Sequence, residues 1–320
     1  MSFIDLIKQS TYRQSGLIKG IGDDAAVFRH TAHDIVSAVD VFVENIHFSR
    51  DTMSPFHIGY RALAANLSDM AAMGATPTYI LVAIVVPKGW HSNELEDIFN
   101  GIKSLADQHH VDLIGGDTVS GSELTLSITV IGTVDTDHAR YRSAARPGDV
   151  VFVTGTLGDS QAGYHILTSD KKYTDAAYFV KRHQMPTPRI EFAKGLQHIN
   201  RLSLNDISDG LANEAREIAE ASQVTINLFE DAIPISPSFS QFPPTLQHQW
   251  KLFGGEDFEL LGTVSENDWP QVKKAASKTN TFISKIGNVT ANENNKPCEV
   301  YLLRDNDKSI LKNEGYIHLK

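Results

Sequence analysis

The chain has 320 residues, of which 41% are hydrophobic and 21% charged, and its formal net charge is -10. This length and composition are typical of a globular protein of two domains, and the negative charge argues against a nucleic-acid partner, because general nucleic-acid binders are basic. No apolar run reaches the ~18 residues of a membrane span, and the N-terminus lacks the pattern of a signal peptide. The single cysteine, Cys298, excludes an intramolecular disulfide and a zinc site built from several cysteines. We therefore expect a cytoplasmic protein that works without a membrane partner.

Strands and helices alternate in the first half of the predicted fold. Pro55 suits the first turn of a helix, and Gly74 and Pro77 suit its end, so the stretch between them, rich in Ala, Leu and Met, predicts a long helix. The predicted elements are, in chain order, strand 35–43, helix 58–73, strand 79–86, helix 95–109 and strand 124–134.

A turn-rich stretch at 142–149 separates the two halves, and we place the domain boundary beside it, which gives domains 1–140 and 141–320. The fold class is α/β or α+β, and the pattern of elements alone does not choose between them. The second half is predicted to contain strand 150–154, a helix after the turn 155–159, helix 189–198, helix 211–222, strand 258–264 and a loop at 288–297.

Five short segments place glycine beside an acidic residue, each at a predicted strand end or helix start. Glycine allows the backbone to approach a ligand closely, aspartate offers the hard oxygen that Mg²⁺ prefers, and helix N-termini bind phosphate. Any one such segment is more often a turn or a helix cap, but five of them favour a shared site for metal and phosphate. The segments are 22–27, 115–118, 155–159, 206–210 and 254–257.

Asp69 supports this hypothesis, because it lies inside a predicted helix among residues that are expected to be buried. Asn66 precedes it by three residues and therefore shares its helix face. A buried carboxylate needs a cation or hydrogen-bond donors. The chain has neither a Gly-x-x-x-x-Gly-Lys-Ser/Thr phosphate loop nor a protein-kinase glycine loop, so bound ATP would be held by metal ions and arginines.

In their order and spacing, these segments resemble the thiamine-monophosphate kinase family, which is related to aminoimidazole ribonucleotide synthetase and selenophosphate synthetase. No segment is specific by itself, but together they extend over nearly the whole chain. The matching stretches are 22–27, 40–48, 66–75, 115–118, 142–145, 207–210, 255–260 and 315–318.

The resemblance implies two α/β domains with the fold of aminoimidazole ribonucleotide synthetase. It also implies that the N-terminal sheet pairs with a second copy in a homodimer and that ATP lies in the cleft between the domains. The implied reaction is direct, in-line transfer of the γ-phosphoryl group of ATP to thiamine monophosphate, giving thiamine diphosphate and ADP. Both partners are phosphates, so Mg²⁺ ions that neutralise their charge are expected. The acceptor oxygen is already ionised, so no residue is required as a general base.

The resemblance also implies roles for individual residues. The metal ligands would be Asp24, Ala38, Val39, Asp40, Asp69, Asp117, Asp206 and Asp209, with Ala38 and Val39 acting only through backbone carbonyls. The contacts to ATP would be Gly116, Asp117, Arg142 and Ser208. The contacts to thiamine monophosphate would be His47, Glu256 and Tyr316.

Residue type alone favours plainer interpretations for several of these positions. His47 would be a packed or surface histidine, Arg142 a solvated turn residue and Tyr316 a packing aromatic. The pair Asn45-Ile46 also differs from the Gly-Val that the family usually has there.

Three other functions are alternatives to the kinase activity. Selenophosphate synthetases carry a reactive cysteine or selenocysteine near the N-terminus, whereas the only cysteine here is Cys298. Aminoimidazole ribonucleotide synthetase has a different signature from that at 43–48. A non-catalytic sensor of nucleotide or metal on the same fold belongs to another class, and the six candidate metal aspartates argue against it.

Overall fold

The computed structural model describes residues 12–19, 27–28, 33–292, 298–305 and 307–312. The chain divides into a first unit, residues 1–70 and 75–137, and a second unit, residues 71–74 and 138–320. Each unit combines a β-sheet with helices, so the mixed α/β class predicted from the sequence is confirmed. Asp24 and Tyr316, two of the predicted site residues, lie outside the described residues.

The first unit is built on a four-stranded sheet. Its elements are β1 (Leu17–Lys19), β2 (Val27–Phe28), β3 (Asp34–Val43), α1 (Pro55–Ala72), β4 (Thr76–Pro87), α2 (Ser92–His109), β5 (Asp112–Gly121) and β6 (Thr125–Val134). The strand order is β3-β6-β4-β5, and β1 pairs with β2 in a separate small hairpin. Within the sheet β4 and β5 are parallel, and the other two pairings are antiparallel.

The two faces of this sheet differ in what covers them. Side chains alternate between the faces along each strand. One face is buried, with exposures of at most 3% at Val82, Ile84, Leu126 and Ile128. The opposite face carries apolar side chains that are 46–58% exposed, at Ile35, Val39, Val41 and Val119. Within the described part of the chain, these apolar side chains are therefore left largely uncovered.

Helix α1 follows the sequence prediction closely. Pro55 is its first residue, and Gly74, with φ of 68°, lies just beyond its end. It packs against α2 at very short range, because a methyl group added to Gly59 would lie 1.8 Å from the carbonyl oxygen of Ile98. Glycine is therefore required at this crossing. No helix in the described ranges combines the length and apolarity that crossing a membrane requires.

The second unit is built on a seven-stranded sheet in the order β13-β12-β9-β11-β7-β10-β8. Its strands are β7 (Asp149–Thr154), β8 (Leu202–Asp206), β9 (Val224–Phe229), β10 (Leu260–Ser265), β11 (Ile283–Ala291), β12 (Val300–Arg304) and β13 (Asp307–Ile310). Its α-helices are α3 (Asp159–Leu167), α4 (Ala176–Gln184), α5 (Ile190–Lys194), α6 (Leu211–Ser222), α7 (Pro244–Phe253) and α8 (Trp269–Lys278).

The core of the second unit lies between α6 and one face of this sheet. Ala215 and Ile218 of α6 share a buried cluster with Val151, Val153 and Leu261, and all five side chains are 0% exposed. Helix α6 has the bounds predicted from its sequence pattern, 211–222. Packing in this core holds α6 in place. Because α6 begins directly after the 206–210 segment, it also holds the C-terminal end of that predicted site segment.

Two sequence predictions of secondary structure are wrong, and a third, helix 189–198, is shorter than expected because α5 ends at Lys194 and a turn follows. The 115–118 segment was expected at a strand end or helix start, but it lies in the middle of the ten-residue strand β5. Residues 288–291 were expected in a loop but belong to β11 and pair with β9. In the second case Asn288 and Thr290 are exposed and Val289 is buried. This alternation is typical of a strand with one solvated face. The polar composition of the segment led to the loop prediction.

Candidate functional site

Asp40 and Gly116, on two different strands of the first unit, lie in one row across its sheet. Asp40 is opposite Ile128 of β6, Ile128 is opposite Val82 of β4, and Val82 is opposite Gly116 of β5. The row places the Asp40 carboxyl on the buried face, and burial raises its pKa. A half-buried carboxyl of this kind gains from a bound cation.

Gly116 is required because β4 approaches it closely. A methyl group at this position would lie 1.9 Å from the carbonyl oxygen of Val82. The following residue, Asp117, is exposed, and its Oδ1 accepts a hydrogen bond of 2.8 Å from the backbone N–H of Thr118. Asp117 and Asp40 therefore point to opposite faces of the sheet, although the sequence resemblance assigns both to metal binding.

Ala38 and Val39 lie on β3, which is an edge strand of the four-stranded sheet and pairs only with β6 among the described strands. Carbonyls of consecutive strand residues point to opposite sides. One of these two carbonyls therefore faces β6 and the other faces the open edge. The carbonyl oxygen at the open edge is not used in pairing with β6, so it can coordinate a ligand.

Asn66 and Asp69 lie on α1, as predicted, with Asn66 1% exposed and Asp69 half-buried. The Asn66 side chain donates a hydrogen bond of 3.0 Å from Nδ2 to the carbonyl oxygen of Ala62. Its Oδ1 is buried and has no hydrogen-bond partner among the described residues. A buried acceptor without a donor is costly, so this oxygen is a candidate ligand for a cation or a donor brought by substrate.

His47 sits in a tight turn directly after β3. Its backbone N–H donates to the carbonyl oxygen of Val43, and its ring Nδ1 accepts a hydrogen bond of 3.1 Å from the N–H of Val43. In this arrangement Nδ1 carries no proton, so the ring proton is on Nε2. Asn45 adopts a left-handed φ of 66° in the same turn. Asparagine tolerates this conformation better than other residues with a side chain, which explains how it replaces the family's usual glycine.

The turn that carries His47 is anchored through Glu44. Glu44 Oε2 accepts hydrogen bonds from the N–H of Leu124 at 3.2 Å and from the indole Nε1 of Trp90 at 3.3 Å. Arg50 stacks on the Trp90 ring at 3.8 Å and forms an ion pair of 2.7 Å with Glu94. The imidazole is thus presented by a turn whose two ends are bonded to the rest of the first unit.

Asp206, Ser208 and Asp209, three of the predicted site residues of the second unit, follow one another at the end of β8. The backbone N–H of Glu256 donates to the carbonyl oxygen of Ser208 at 2.6 Å, and a methyl group on Gly255 would lie 2.3 Å from the same oxygen. The structure therefore brings the 206–210 segment and the 254–257 segment into direct contact.

The turn around Glu256 is strained. Glu256 has φ of 64° and Phe258 has φ of 50°, both in the left-handed region that residues with side chains rarely adopt. Each such residue costs about 1–3 kcal/mol unless its surroundings hold it. Strain of this kind is concentrated at functional sites, and here it surrounds the residue expected to contact substrate.

Arg142 contacts the end of β8, next to Asp206, in the second unit. Its Nε donates to Asn205 Oδ1 at 3.0 Å, and its Nη2 lies 3.2 Å from Glu217 Oε2. Asn205 in turn donates to Glu214 and Glu217 at 2.9 Å each. The Arg142 side chain is still 51% exposed, so its guanidinium remains accessible to an anionic ligand.

Glu214 is a buried acid that the sequence prediction did not include. Its Oε1 accepts a hydrogen bond of 2.9 Å from the backbone N–H of Asp209. Burial, followed by the charge of Glu217, raises its pKa to about 9. Its position on the apolar face of α6 is the signal that identifies it, because glutamate is rarely buried without a partner.

The candidate metal ligands are divided between the two units. Among the residues that the structure describes, no group of three or more His, Cys, Asp or Glu side chains is arranged to hold one metal ion. In the second unit the structure brings Arg142, Asp206, Ser208, Asp209 and Glu256 into one region. In the first unit it places Asp40 and Gly116 in one row, while Asp117 points to the other face.

Comparison with known proteins identifies the family. The model for the AIR synthase related protein, N-terminal domain, matches residues 22–134, and the model for its C-terminal domain matches residues 146–297. A thiamine-monophosphate kinase of Bacillus subtilis is 42% identical over 330 aligned positions that cover 100% of both chains. The chain belongs to the thiamine-monophosphate kinase family. The thiamine-monophosphate kinase of Haemophilus influenzae is 34% identical to this chain, and the alignment covers 100% of this chain and 98% of the Haemophilus protein.

Solved structures agree with this assignment. A thiamine-monophosphate kinase from Stenotrophomonas maltophilia aligns with a TM-score of 0.82 and 30% identity, covering 90% of this chain and 92% of its own. The structure described as AaThiL complexed with AMPPCP and TMP aligns with a TM-score of 0.77 and 29% identity, covering 94% and 92%. The hydrogenase maturation protein HypE in complex with ATP has a TM-score of 0.79 but only 19% identity, and so shares the fold.

Proposed function

We propose that this chain is a thiamine-monophosphate kinase, which transfers the γ-phosphoryl group of ATP to thiamine monophosphate and releases thiamine diphosphate and ADP. The observation that carries this proposal is the 42% identity to the Bacillus subtilis kinase over the full length of both chains. A relative of the same fold, AaThiL, was solved with AMPPCP and TMP.

The candidate donors fit Mg²⁺, which prefers hard oxygen and usually takes only one or two carboxylates beside phosphate and water. In the first unit the donors are the Asp40 carboxyl, whose pKa burial raises, and Asp69, beside the orphaned Oδ1 of Asn66. In the second unit they are Asp206 and Asp209. When bound, Mg²⁺ would neutralise the charge of the donor and acceptor phosphates. The full proposed set adds Asp117, the carbonyls of Ala38 and Val39, and Asp24, which rests on the sequence alone.

The remaining proposed residues bind and orient the two substrates. Arg142 and the backbone at Gly116 and Ser208 would hold ATP phosphates, since an exposed guanidinium and close backbone approach suit an anion. His47, as an Nε2–H donor, and Glu256 would contact thiamine monophosphate. The acceptor phosphate oxygen is ionised near neutral pH, so we assign no residue as general base; the chain's task is to align the two phosphates.

We further propose a homodimer formed through the exposed face of the first unit's sheet. Four apolar side chains of that face, at Ile35, Val39, Val41 and Val119, are 46–58% exposed, and such patches mark interaction surfaces. Residues 1–140 are proposed as the ATP- and Mg²⁺-binding and dimerisation domain, and 141–320 as the domain that completes the site. We expect the enzyme to work in the cytoplasm.

One assay tests the proposed function. The purified chain is incubated with Mg-ATP and thiamine monophosphate, and the products are separated by chromatography. We expect stoichiometric thiamine diphosphate and ADP, and no product when EDTA removes the metal. Product from unphosphorylated thiamine, but none from thiamine monophosphate, would identify a different thiamine kinase and contradict the proposal.

A further inference from the structure

A cluster of buried charges lies behind the Gly255–Phe258 turn in the second unit. Its centre is Glu259, which is 0% exposed. Glu259 accepts two hydrogen bonds from Arg189, at 2.6 and 2.5 Å, and one from Arg182 at 2.8 Å. The Thr154 hydroxyl donates a further bond of 2.6 Å. Glu259 immediately follows the turn, so these contacts fix one end of it to the interior.

Asp257 fixes the middle of the same turn. Its side chain is 1% exposed and accepts hydrogen bonds from the backbone N–H of Gly158 at 2.7 Å and of Ser160 at 3.1 Å. These two groups belong to the first turn of α3 and the residue before it. The acidic residues on either side of Phe258 are thus both bonded to the protein interior.

Arg182 connects these carboxylates. Burial lowers its pKa, but the charges of Glu259, Asp257 and Asp159 raise it overall above the usual value. Asp159, the third carboxylate, lies 4.0 Å from Arg182 Nε and accepts hydrogen bonds from the hydroxyls of Thr156, Tyr178 and Ser236. The arginine is therefore held as a permanent cation among three acids.

Glu256 is the residue of the turn that is expected to contact substrate. It is half-buried, and its backbone N–H donates to the carbonyl oxygen of Ser208 at 2.6 Å. Its left-handed φ of 64°, and that of 50° at Phe258, need surrounding contacts to persist. Those contacts come from the side chains of Asp257 and Glu259 and from the backbone of Ile207 and Ser208.

We propose that Arg182 and Arg189 are positioning residues for thiamine monophosphate, because through Glu259 they hold the strained Gly255–Phe258 turn and thereby the side chain of Glu256. This inference rests on the proposed function of Glu256 as a contact to the acceptor. The side chains of Arg182 and Arg189 are only 13% and 17% exposed and are bonded to Glu259, so we assign them an indirect role. Both act through the buried carboxylate of Glu259. The planar guanidinium of arginine donates hydrogen bonds in fixed directions, and the ammonium group of lysine does not reproduce that geometry.

The test replaces each arginine by lysine, which keeps the charge but loses the two-bond contact of Arg189 and the directed Nη2 bond of Arg182 to Glu259. We expect R182K and R189K to raise KM for thiamine monophosphate at least about tenfold, since small displacements of a binding group are costly. KM for ATP should change little. The matched control is R201K, because Arg201 binds the buried carboxylate of Asp149 with two hydrogen bonds, at 2.5 and 2.7 Å, as Arg189 binds Glu259. It should lower the melting temperature and leave KM for thiamine monophosphate unchanged.

A double-mutant cycle separates positioning from general stability. If Arg182 acts through Glu256, R182K has no further effect on KM for thiamine monophosphate in an E256Q background. Additive effects, an unchanged KM in both lysine variants, or an equal rise in R201K would overturn the proposal. R189K carries the test if R182K does not fold. A wild-type chain that makes no thiamine diphosphate would overturn the proposed function itself, which the variants alone do not address.

Discussion

Asp209 is a proposed metal ligand whose replacement by asparagine keeps an observed backbone contact. Its backbone N–H, not its carboxylate, forms the 2.9 Å hydrogen bond to Glu214, and asparagine retains that group. We expect Asp209→Asn to lower turnover by at least about 100-fold, because a charge that stabilises the transferring phosphoryl group is lost. Turnover is measured at saturating Mg²⁺ and ATP, and the melting temperature is measured alongside.

The control for this change is Asp170→Asn, at an exposed aspartate of the same unit. It should leave both turnover and melting temperature unchanged. Near-normal turnover of Asp209→Asn when Mg²⁺ is saturating would exclude Asp209 from the metal site.

Asp257 predicts a pH dependence of stability. Burial, offset in part by Arg182, raises its pKa to about 7, whereas an aspartate in an unfolded chain titrates near about 3.9. Between these values the folded state holds the proton more often than the unfolded state. The free energy of unfolding should therefore fall as pH rises from about 4 to about 7, by up to about 4 kcal/mol for the full shift.

The comparison is made by urea denaturation of the wild type and Asp257→Asn at about pH 5 and about pH 7.5. Asparagine does not titrate, so this part of the decline should be absent in the variant. The variant should also be less stable overall at low pH, because its amide N–H₂ group faces one of the two backbone N–H donors of Gly158 and Ser160. An identical decline in both proteins would show that Asp257 does not titrate in this range.

At the scale of secondary-structure elements, the pairing of β4 with β5 depends on Gly116. We expect Gly116→Ala to cost on the order of 1–3 kcal/mol of unfolding free energy, because the added methyl group would lie 1.9 Å from the backbone oxygen of Val82. The strand must shift, and Asp117 shifts with it. KM for ATP should rise in the same variant.

The matched control is Gly89→Ala in the same unit. Gly89 has φ of 96°, and a methyl group there meets no atom within 4 Å, so the substitution costs only the left-handed backbone conformation, about 1 kcal/mol. KM for ATP should not change. Equal effects of the two variants on KM would show that close approach of β4 is not what Gly116 provides.

The same scale shows where prediction from periodicity succeeds and where it does not. α1 and α6 were predicted because their apolar spacing and their glycine or proline boundaries are local properties. The sequence does not predict β5, because Gly115 and Gly116 are typical of turns. These glycines belong to a strand because they pair with β4, which is distant in the sequence. Asp69 stands out in the sequence as a charge in an apolar helix, and Glu259, a charge beside an apolar strand, carries the same signal of a buried acid.

At the scale of the whole molecule, the exposed sheet face predicts an assembly of two copies. We expect the wild type to be a dimer and Val41→Asp to be a monomer, because the variant places a charge among apolar side chains that the proposed interface would bury. Val41 is 49% exposed in the single chain, so the substitution should not disturb the fold of the monomer. Sedimentation velocity measures the assembly state.

Ile310→Asp is the matched control, because Ile310 is 50% exposed but lies on β13 of the other unit. It should leave the dimer intact. A monomeric wild type, or dissociation by the control alone, would reject this face as the interface.

The sequence by itself determined the family, the mixed α/β class and most of the elements, because an ordered set of short motifs and local periodicity are both readable along the chain. The tertiary structure decided which of the candidate residues meet. Cross-strand register places Asp40 and Asp117 on opposite faces, and a shift of one residue would reverse either of them. The cluster around Glu259 joins it to Arg189, 70 residues away. Burial of a charge against a distant partner is a property of the folded chain, and no local pattern records it.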